Sequence, residues 1–182
     1  INKTLNQMVN EGIEYCFMEV SSHAIDQKRI LGLKFEVGVF TNLSHDHLDY
    51  HHDFSNYRDV KKEFFDFLAK DAIAIVNFDD KNGPYMIQNC RSKSYSYSLK
   101  TNSNYSLKIL EKDLNGMKLK INNHEIWTKL IGDFNAYNIL ATFSLAQILN
   151  FELEKTLNKI SLLNVVNGRF EKTFENSKNP VS

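Results

Sequence analysis

The sequence predicts an α/β fold: a mostly parallel sheet flanked by helices, with a small antiparallel β patch. Three observations carry that expectation. Over the first two-thirds of the chain, short apolar runs bounded by polar residues alternate with amphipathic stretches, as buried parallel strands alternate with the helices that cover them. Between Tyr95 and Leu130, Asn-Gly and Asn-Asn turn signals separate segments of alternating polarity, as in hairpins. Two further helical patterns close the series.

Taken in order, Thr4 to Asn10 has helical texture and Gly12 ends it. Tyr15–Val20 is a short apolar run ending in polar residues and predicts the first buried strand. Val37–Phe40 predicts the second strand and Ala72–Val76 the third. Between those two, Ser55 to Ala69 predicts an amphipathic helix with Ser55 as its N-cap. Asp79-Asp80 opens a turn into a short helix ending near Cys90. Tyr105–Leu110, Met117–Ile121 and Glu125–Leu130 are the hairpin strands. Gly132-Asp133 launches a helix through Leu149, and Leu153 to Leu163 suits one more.

The chain has 182 residues, 42% hydrophobic and 24% charged, which is one ordinary globular domain with a real core. Lys plus Arg and Asp plus Glu both total 22, so no net field favours nucleic acid or an anionic membrane. The apolar runs fall short of a membrane span, and no basic-then-apolar secretory segment opens the chain. Cys16 and Cys90 lack CxxC spacing and read as reduced structural thiols, consistent with a cytoplasmic setting. Because the chain starts at Ile1 rather than Met and ends in a polar stretch, it reads as a piece of something longer.

The densest chemistry lies in Thr41-Asn-Leu-Ser-His-Asp-His-Leu-Asp-Tyr-His-His52. Four histidines and two aspartates occur there within twelve residues, directly after an apolar run. Carboxylate and imidazole donors on a loop at a strand end are what metal chemistry uses. A second unusual feature lies just beyond. Winding Ser55–Ala69 at about 100° per residue puts Tyr57, Val60, Phe64, Phe65, Phe67 and Leu68 on one apolar stripe. Arg58, Asp59, Lys62, Glu63 and Asp66 fall opposite, but Lys61 lands inside the stripe. An ammonium there must snorkel, pair or lose its proton. By pattern alone, a snorkelling lysine paired with an acid is the more common outcome. A neutral amine can instead add CO2 and become an anionic carbamate able to bind Mg²⁺.

Five ordered motifs resemble the Mur ligase family. They are Glu19-Val-Ser-Ser-His-Ala-Ile-Asp-Gln27-Lys-Arg29, Thr41 to His51, Tyr57-x-x-x-Lys61, Gly132-Asp-Phe-Asn135-Ala-Tyr-Asn138 and Gly168-Arg169-Phe-Glu171. Within the family the likeness is to the MurE type, which adds the third amino acid to UDP-N-acetylmuramoyl-L-alanyl-D-glutamate. Other members of the family, such as the dipeptide-adding ligase and folylpolyglutamate synthase, fit Glu19–Ala24 and Asp46–His51 less well. The resemblance implies a three-domain cytoplasmic bacterial enzyme. Residues 1–168 would be part of its central P-loop-type ATPase domain, and 169–182 the hinge to a C-terminal domain. The chain contains no Gly-x-x-Gly-Lys-Thr phosphate loop, so it is expected to be inactive alone.

The implied reaction uses ATP to turn the D-glutamate side carboxylate into an acyl phosphate, which the amine of a diamino acid then attacks. The added residue is expected to be meso-2,6-diaminopimelate, with L-lysine the alternative. The resemblance makes Glu19, His47 and Lys61 both catalytic and metal-binding, with CO2-derived carbamate on Lys61 and two Mg²⁺ ions. Asp46, Asp49 and His51 would shape the loop around them, while His45 and His52 replace the arginine and glycine usual there. Ser21, Gln27 and Arg29 match positions that contact the UDP-muramoyl dipeptide, and His23 is structural. Asn135 and Asn138, three apart and so on one helix face, match the adenine side, with Arg169 near the ribose. Without the motif, Glu19 would read as a surface acid, Gln27 and Arg29 as an exposed helix face, and the two asparagines as capping residues.

Two other classes remain open on the residues. His45-x-His47-x-Asp49 resembles the start of a zinc-hydrolase motif, but Tyr50 stands where a histidine should follow, and His124 is the only later histidine. A noncatalytic binding domain is the third reading. No nucleic-acid or membrane partner is expected.

Overall fold

Six strands form one sheet in chain order: β1 (Val37–Phe40), β2 (Ile73–Asn77), β3 (Lys93–Ser98), β4 (Tyr105–Asp113), β5 (Gly116–Ile121) and β6 (His124–Thr128). The structure is a computed structural model that describes residues 1–44, 48–51 and 53–164. β1 to β4 run parallel, with Val39 opposite Ile75 and Ile75 opposite Tyr95. β5 and β6 then add antiparallel, with a register shift in β4 between Ile109 and Glu111. The expected parallel sheet with an antiparallel patch is therefore what the chain forms.

The two halves bury their residues differently. In β2, Ala74, Ile75 and Val76 are all fully buried, because helices cover both faces of the parallel half. On one face, α4 (Phe54–Asp66) packs Phe64 and Phe65 with Phe40, Val76 and Met86. On the other, α6 (Asp133–Ile148) and α7 (Leu153–Ser161) pack Ile139, Leu140, Phe143 and Ile160 against Ile75, Tyr97 and Leu107. The antiparallel strands send only one side inward, through Leu107, Met117, Leu119 and Ile121. Gly38 of β1 lets α4 lie close: a Cβ there would sit 2.8 Å from the Phe64 ring.

Three short helices complete the parallel half: α2 (Ser22–Asp26), α3 (Leu48–His51) and α5 (Gly83–Met86). At the start of the chain, α1 (Asn2–Asn10) buries no residue, and Gly12 follows it at φ +74°.

Four expectations need correction. Tyr15–Val20 joins no strand ladder; Tyr15 is 46% and Phe17 73% exposed, and β1 pairs only with β2 among the described residues. Apolar texture shows that a segment can be buried, but a strand also needs a neighbouring edge to take its hydrogen bonds. β3 was not expected, because its Lys-Ser-Tyr-Ser-Tyr-Ser run looks polar; Ser96, Tyr97 and Ser98 are nevertheless buried. The α4 cap is Asp53, whose carboxylate accepts from the Asn56 N–H at 2.8 Å, rather than Ser55. That helix also ends at Asp66, leaving Phe67 77% exposed instead of in the apolar stripe.

Candidate active site at the carboxyl edge of the sheet

The carboxyl ends of β1, β2 and β3 lie along one edge of the parallel sheet, the edge at which open α/β sheets bind their ligands. Lys61 lies on α4 along this edge, half-buried, with its Nζ 5.5 Å from the centre of the Tyr57 ring. Burial pushes its pKa below the ordinary lysine value, and the negative charge of Glu19 pulls in the opposite direction without overcoming it. The structure thus brings Lys61 within the field of Glu19, two residues 42 positions apart.

The neighbouring lysine behaves differently from its expected place. Lys62 was placed on the polar face, yet it is only 8% exposed, pairs with Asp66 at 2.5 Å and lies 5.7 Å from the Tyr85 ring. Arg58 stacks 4.2 Å from the same ring. α5 covers that flank of α4, and a helical projection of α4 alone has no means of showing a second covered side.

Substrate-side candidates surround α2. Ser21 caps this helix, its Oγ accepting from the Ala24 N–H at 3.2 Å. Gln27 is exposed and donates through Nε2 to Tyr50 Oη at 3.2 Å, while Tyr50 donates to Asp26 Oδ2 at 2.6 Å. Arg29 is exposed close by in sequence. Beneath them, His51 Nε2 lies 2.8 Å from Ser22 Oγ, both residues buried, and the His51 ring stacks on Tyr57 at 5.2 Å. The His23 ring sits 4.0 Å from that of Tyr50. This clasp joins α2, α3 and α4, so the candidate dipeptide-contacting residues and Lys61 share one rigid support. It gives His51 and His23 the structural parts the sequence assigned them.

On the nucleotide side, Asn135 and Asn138 occupy the first turns of α6. Asn135 is half-buried and donates through Nδ2 to the Ile131 carbonyl at 2.8 Å; Asn138 is exposed. His47 and Arg169 lie outside the described residues, as do His45, Asp46 and His52. Among the described residues, no three His, Cys, Asp or Glu side chains gather where a metal ion could be held. The donors that would meet at this edge are oxygen-rich: the Glu19 carboxylate, and two further oxygens if Lys61 carries a carbamate. That set fits Mg²⁺.

The sequence reading missed a half-buried polar hub. It treated Asp79-Asp80 only as a turn, although both follow a buried parallel strand as Glu19 was expected to, and that position was a signal. Asp79 accepts from Ser98 Oγ at 2.5 Å, the Leu99 N–H at 2.7 Å, the Lys100 N–H at 3.2 Å and Tyr137 Oη at 2.9 Å. Burial on its own would raise the Asp79 pKa, but the bonds from Ser98, Leu99, Tyr137 and Lys100 together outweigh it and hold the carboxyl below its usual range. Burial, followed by the bond to Asp79, holds the Tyr137 hydroxyl well above the ordinary tyrosine range, so it remains a donor.

A depressed carboxylate pKa contributes stability that is complete above the unfolded-state value of about 4 and disappears as pH falls through the folded value. Asp79→Asn is therefore expected to destabilise the domain by about 2 kcal/mol at neutral pH, through bonds to a charged acceptor. The deficit should shrink below about pH 4. Urea unfolding of both proteins from pH 3 to 7 measures it; a deficit independent of pH would contradict the ionised state.

Comparison with known proteins gives a consistent picture. Residues 1–146 match the family model described as Mur ligase middle domain. A Bacteroides thetaiotaomicron protein named UDP-N-acetylmuramoyl-L-alanyl-D-glutamate–2,6-diaminopimelate ligase is 51% identical over 171 residues, 94% of this chain and 36% of its own length. A Bacteroides fragilis protein of the same name is 49% identical over 171 residues, 94% of this chain and 35% of its own length. A solved structure of a ligase with that name superimposes with a TM-score of 0.83 at 28% identity, over 92% of this chain and 36% of the other. The chain thus spans about a third of the length of the curated relatives it matches. Among the described residues no helix is long and apolar enough to cross a membrane.

Proposed function

The chain belongs to the Mur ligase family through its middle domain, and from that membership we propose that it serves an ATP-dependent amide-bond ligase of peptidoglycan precursor synthesis in the bacterial cytoplasm. The ligase adds meso-2,6-diaminopimelate to UDP-N-acetylmuramoyl-L-alanyl-D-glutamate. The names of relatives 51% and 49% identical support that substrate pair. Family membership also displaces the zinc-hydrolase reading of the His/Asp cluster. Residues 1–168 form part of the central domain and 169–182 lead toward the next.

The single observation that carries the chemistry is the half-buried Lys61 amine, with its lowered pKa, in the field of Glu19 at the sheet edge. Burial favours the neutral amine, whose lone pair can attack CO2; a new N–C bond forms, one proton leaves, and an anionic carbamate remains. Glu19, His47 and the carbamate on Lys61 would hold Mg²⁺. Bound there, Mg²⁺ supplies charge neutralisation at the phosphates as the D-glutamate carboxylate takes the γ-phosphoryl group of ATP.

The chain's own groups do the positioning. Ser21, Gln27 and Arg29 bind the UDP-muramoyl dipeptide through a hydroxyl, an amide and a guanidinium, which suit polar and carboxylate partners. The Ser22–His51 and Asp26–Tyr50 bonds hold that surface to α3, and the His51–Tyr57 stack ties α3 to α4 and so to Lys61. Asn135 and Asn138 present amides that can both donate to and accept from adenine, with Arg169 at the ribose. The amine of the diamino acid then attacks the acyl phosphate, and phosphate departs.

The test is an assay of the full-length protein with ATP, Mg²⁺, the UDP-muramoyl dipeptide and either meso-diaminopimelate or L-lysine. ADP release and tripeptide formation with diaminopimelate are expected, with L-lysine weaker by about 100-fold or more, because a site built around a polar group rejects a substrate that lacks it. A preference for lysine would replace the substrate, and no ligation with either would overturn the reading.

A further inference from the structure

We propose that Asp79 and Tyr137 are positioning residues for the nucleotide: their bond fixes the start of α6, and with it Asn135 and Asn138, onto the turn that follows β2. The inference rests on the ligase reading above, and extends it to two residues outside its motifs.

The geometry has three parts. First, the bond spans 58 positions of sequence, joining Tyr137 Oη to Asp79 Oδ2 at 2.9 Å. Tyr137 lies between Asn135 and Asn138 on the first turns of α6, so anchoring it sets the rotation of that helix about its axis. Both asparagine amides rotate with it.

Second, the turn that receives the bond is itself braced. Asn77, 5% exposed, donates through Nδ2 to the Thr41 carbonyl at 2.9 Å. The two Asp80 carboxylate oxygens are both occupied, Oδ2 by the Leu43 N–H at 2.9 Å and Oδ1 by the Asn82 N–H at 2.8 Å. Gly83 approaches so closely that a Cβ there would lie 1.9 Å from the Asn77 carbonyl oxygen. Asp79 is therefore a fixed post, tied through its turn to the exit of β1, rather than a mobile surface acid.

Third, the bond sits where the apolar burial of α6 begins. Ala136, Ile139 and Leu140 are at most 1% exposed, while Asp133 pairs with Lys112 at 3.2 Å on the surface. Core packing holds the buried side of the helix, and the Tyr137–Asp79 bond ties its first turns to the turn after β2. Losing that bond should loosen adenine recognition while leaving the carboxylate and amine chemistry unchanged.

Tyr137→Phe in the full-length ligase removes only the hydroxyl. The expected result is an ATP KM raised about fivefold to twentyfold, kcat within about twofold of wild type and an unchanged KM for the UDP-muramoyl dipeptide. Discrimination between ATP and GTP should fall by a similar factor, a readout that a loss of stability alone would not move. The Asp79→Ala/Tyr137→Phe double variant should match Asp79→Ala in ATP KM, since the two single changes remove the same bond. Ile121→Val, a core change in β5, is the stability control and should leave ATP KM unchanged.

An unchanged ATP KM in Tyr137→Phe, an equal rise in the dipeptide KM, or the same shift in Ile121→Val would overturn the inference. If the wild-type ligase showed no ATP-dependent ligation at all, the underlying ligase reading would fail instead. The two failures are thus separable.

Discussion

Replacing Lys61 by alanine in the full-length ligase is expected to lower ligation by about 10³-fold or more, the scale on which fixed charge at a developing centre contributes to catalysis. Lys61→Arg should lose as much. Its guanidinium stays protonated at any working pH and has no neutral amine for CO2. The pair of variants separates two roles: a cation that merely pairs with Glu19 would survive the change to arginine, and a carbamate would not. Because Lys61 is half-buried on α4 and the clasp beside it is built from Ser22, His51 and Tyr57, neither change should lower Tm by more than a few degrees. Initial rates of ADP release and thermal melts on the same preparations measure both quantities. Retention of a tenth or more of wild-type activity by Lys61→Arg would contradict the carbamate.

The largest stability effect is expected at Phe65→Ala. Phe65 is 3% exposed, and its ring meets Phe40 at 6.3 Å and Phe64 at 5.3 Å, both edge-on. Its carbonyl also accepts from Cys90 Sγ at 3.0 Å. Deleting the ring leaves a cavity between α4 and the parallel sheet, at a cost of about 3–5 kcal/mol. For a domain of this size that is a Tm lower by roughly 10 °C. α4 carries Lys61 four residues before Phe65, on the same side of the helix, so activity at elevated temperature should fall together with stability. A loss under about 1 kcal/mol would mean that the helix is held by something other than this contact.

Much of the fold was legible because its signals are local. The all-apolar run of β2 and the Asn-Gly turn before β5 follow from side-chain period and turn chemistry within a few residues. β3 was hidden because its buried positions are partly serines: the Ser96 and Ser98 hydroxyls are satisfied by Asn104 and Asp79, and polarity in sequence disguised burial in space. Tyr15–Val20 erred the other way, with apolar texture but no ladder partner among the described residues.

The site divides along the same line. Its chemical classes and the family came from five ordered motifs, each a matter of residue identity and spacing. Where side chains meet was decided by the path of the backbone. Lys61 lies within the field of Glu19, while Lys62, one residue on, is closed over by Tyr85 and paired with Asp66. Asp79, which looked like an ordinary turn residue, collects Ser98 and Tyr137 from two other elements. Periodicity can say which side of a helix is apolar, because that depends on angles of about 100° between neighbours. It has no access to which strand end lies opposite, because a hydrogen bond across 58 positions depends on sheet order and helix placement, and those are settled only when both hydrophobic faces of the sheet are covered.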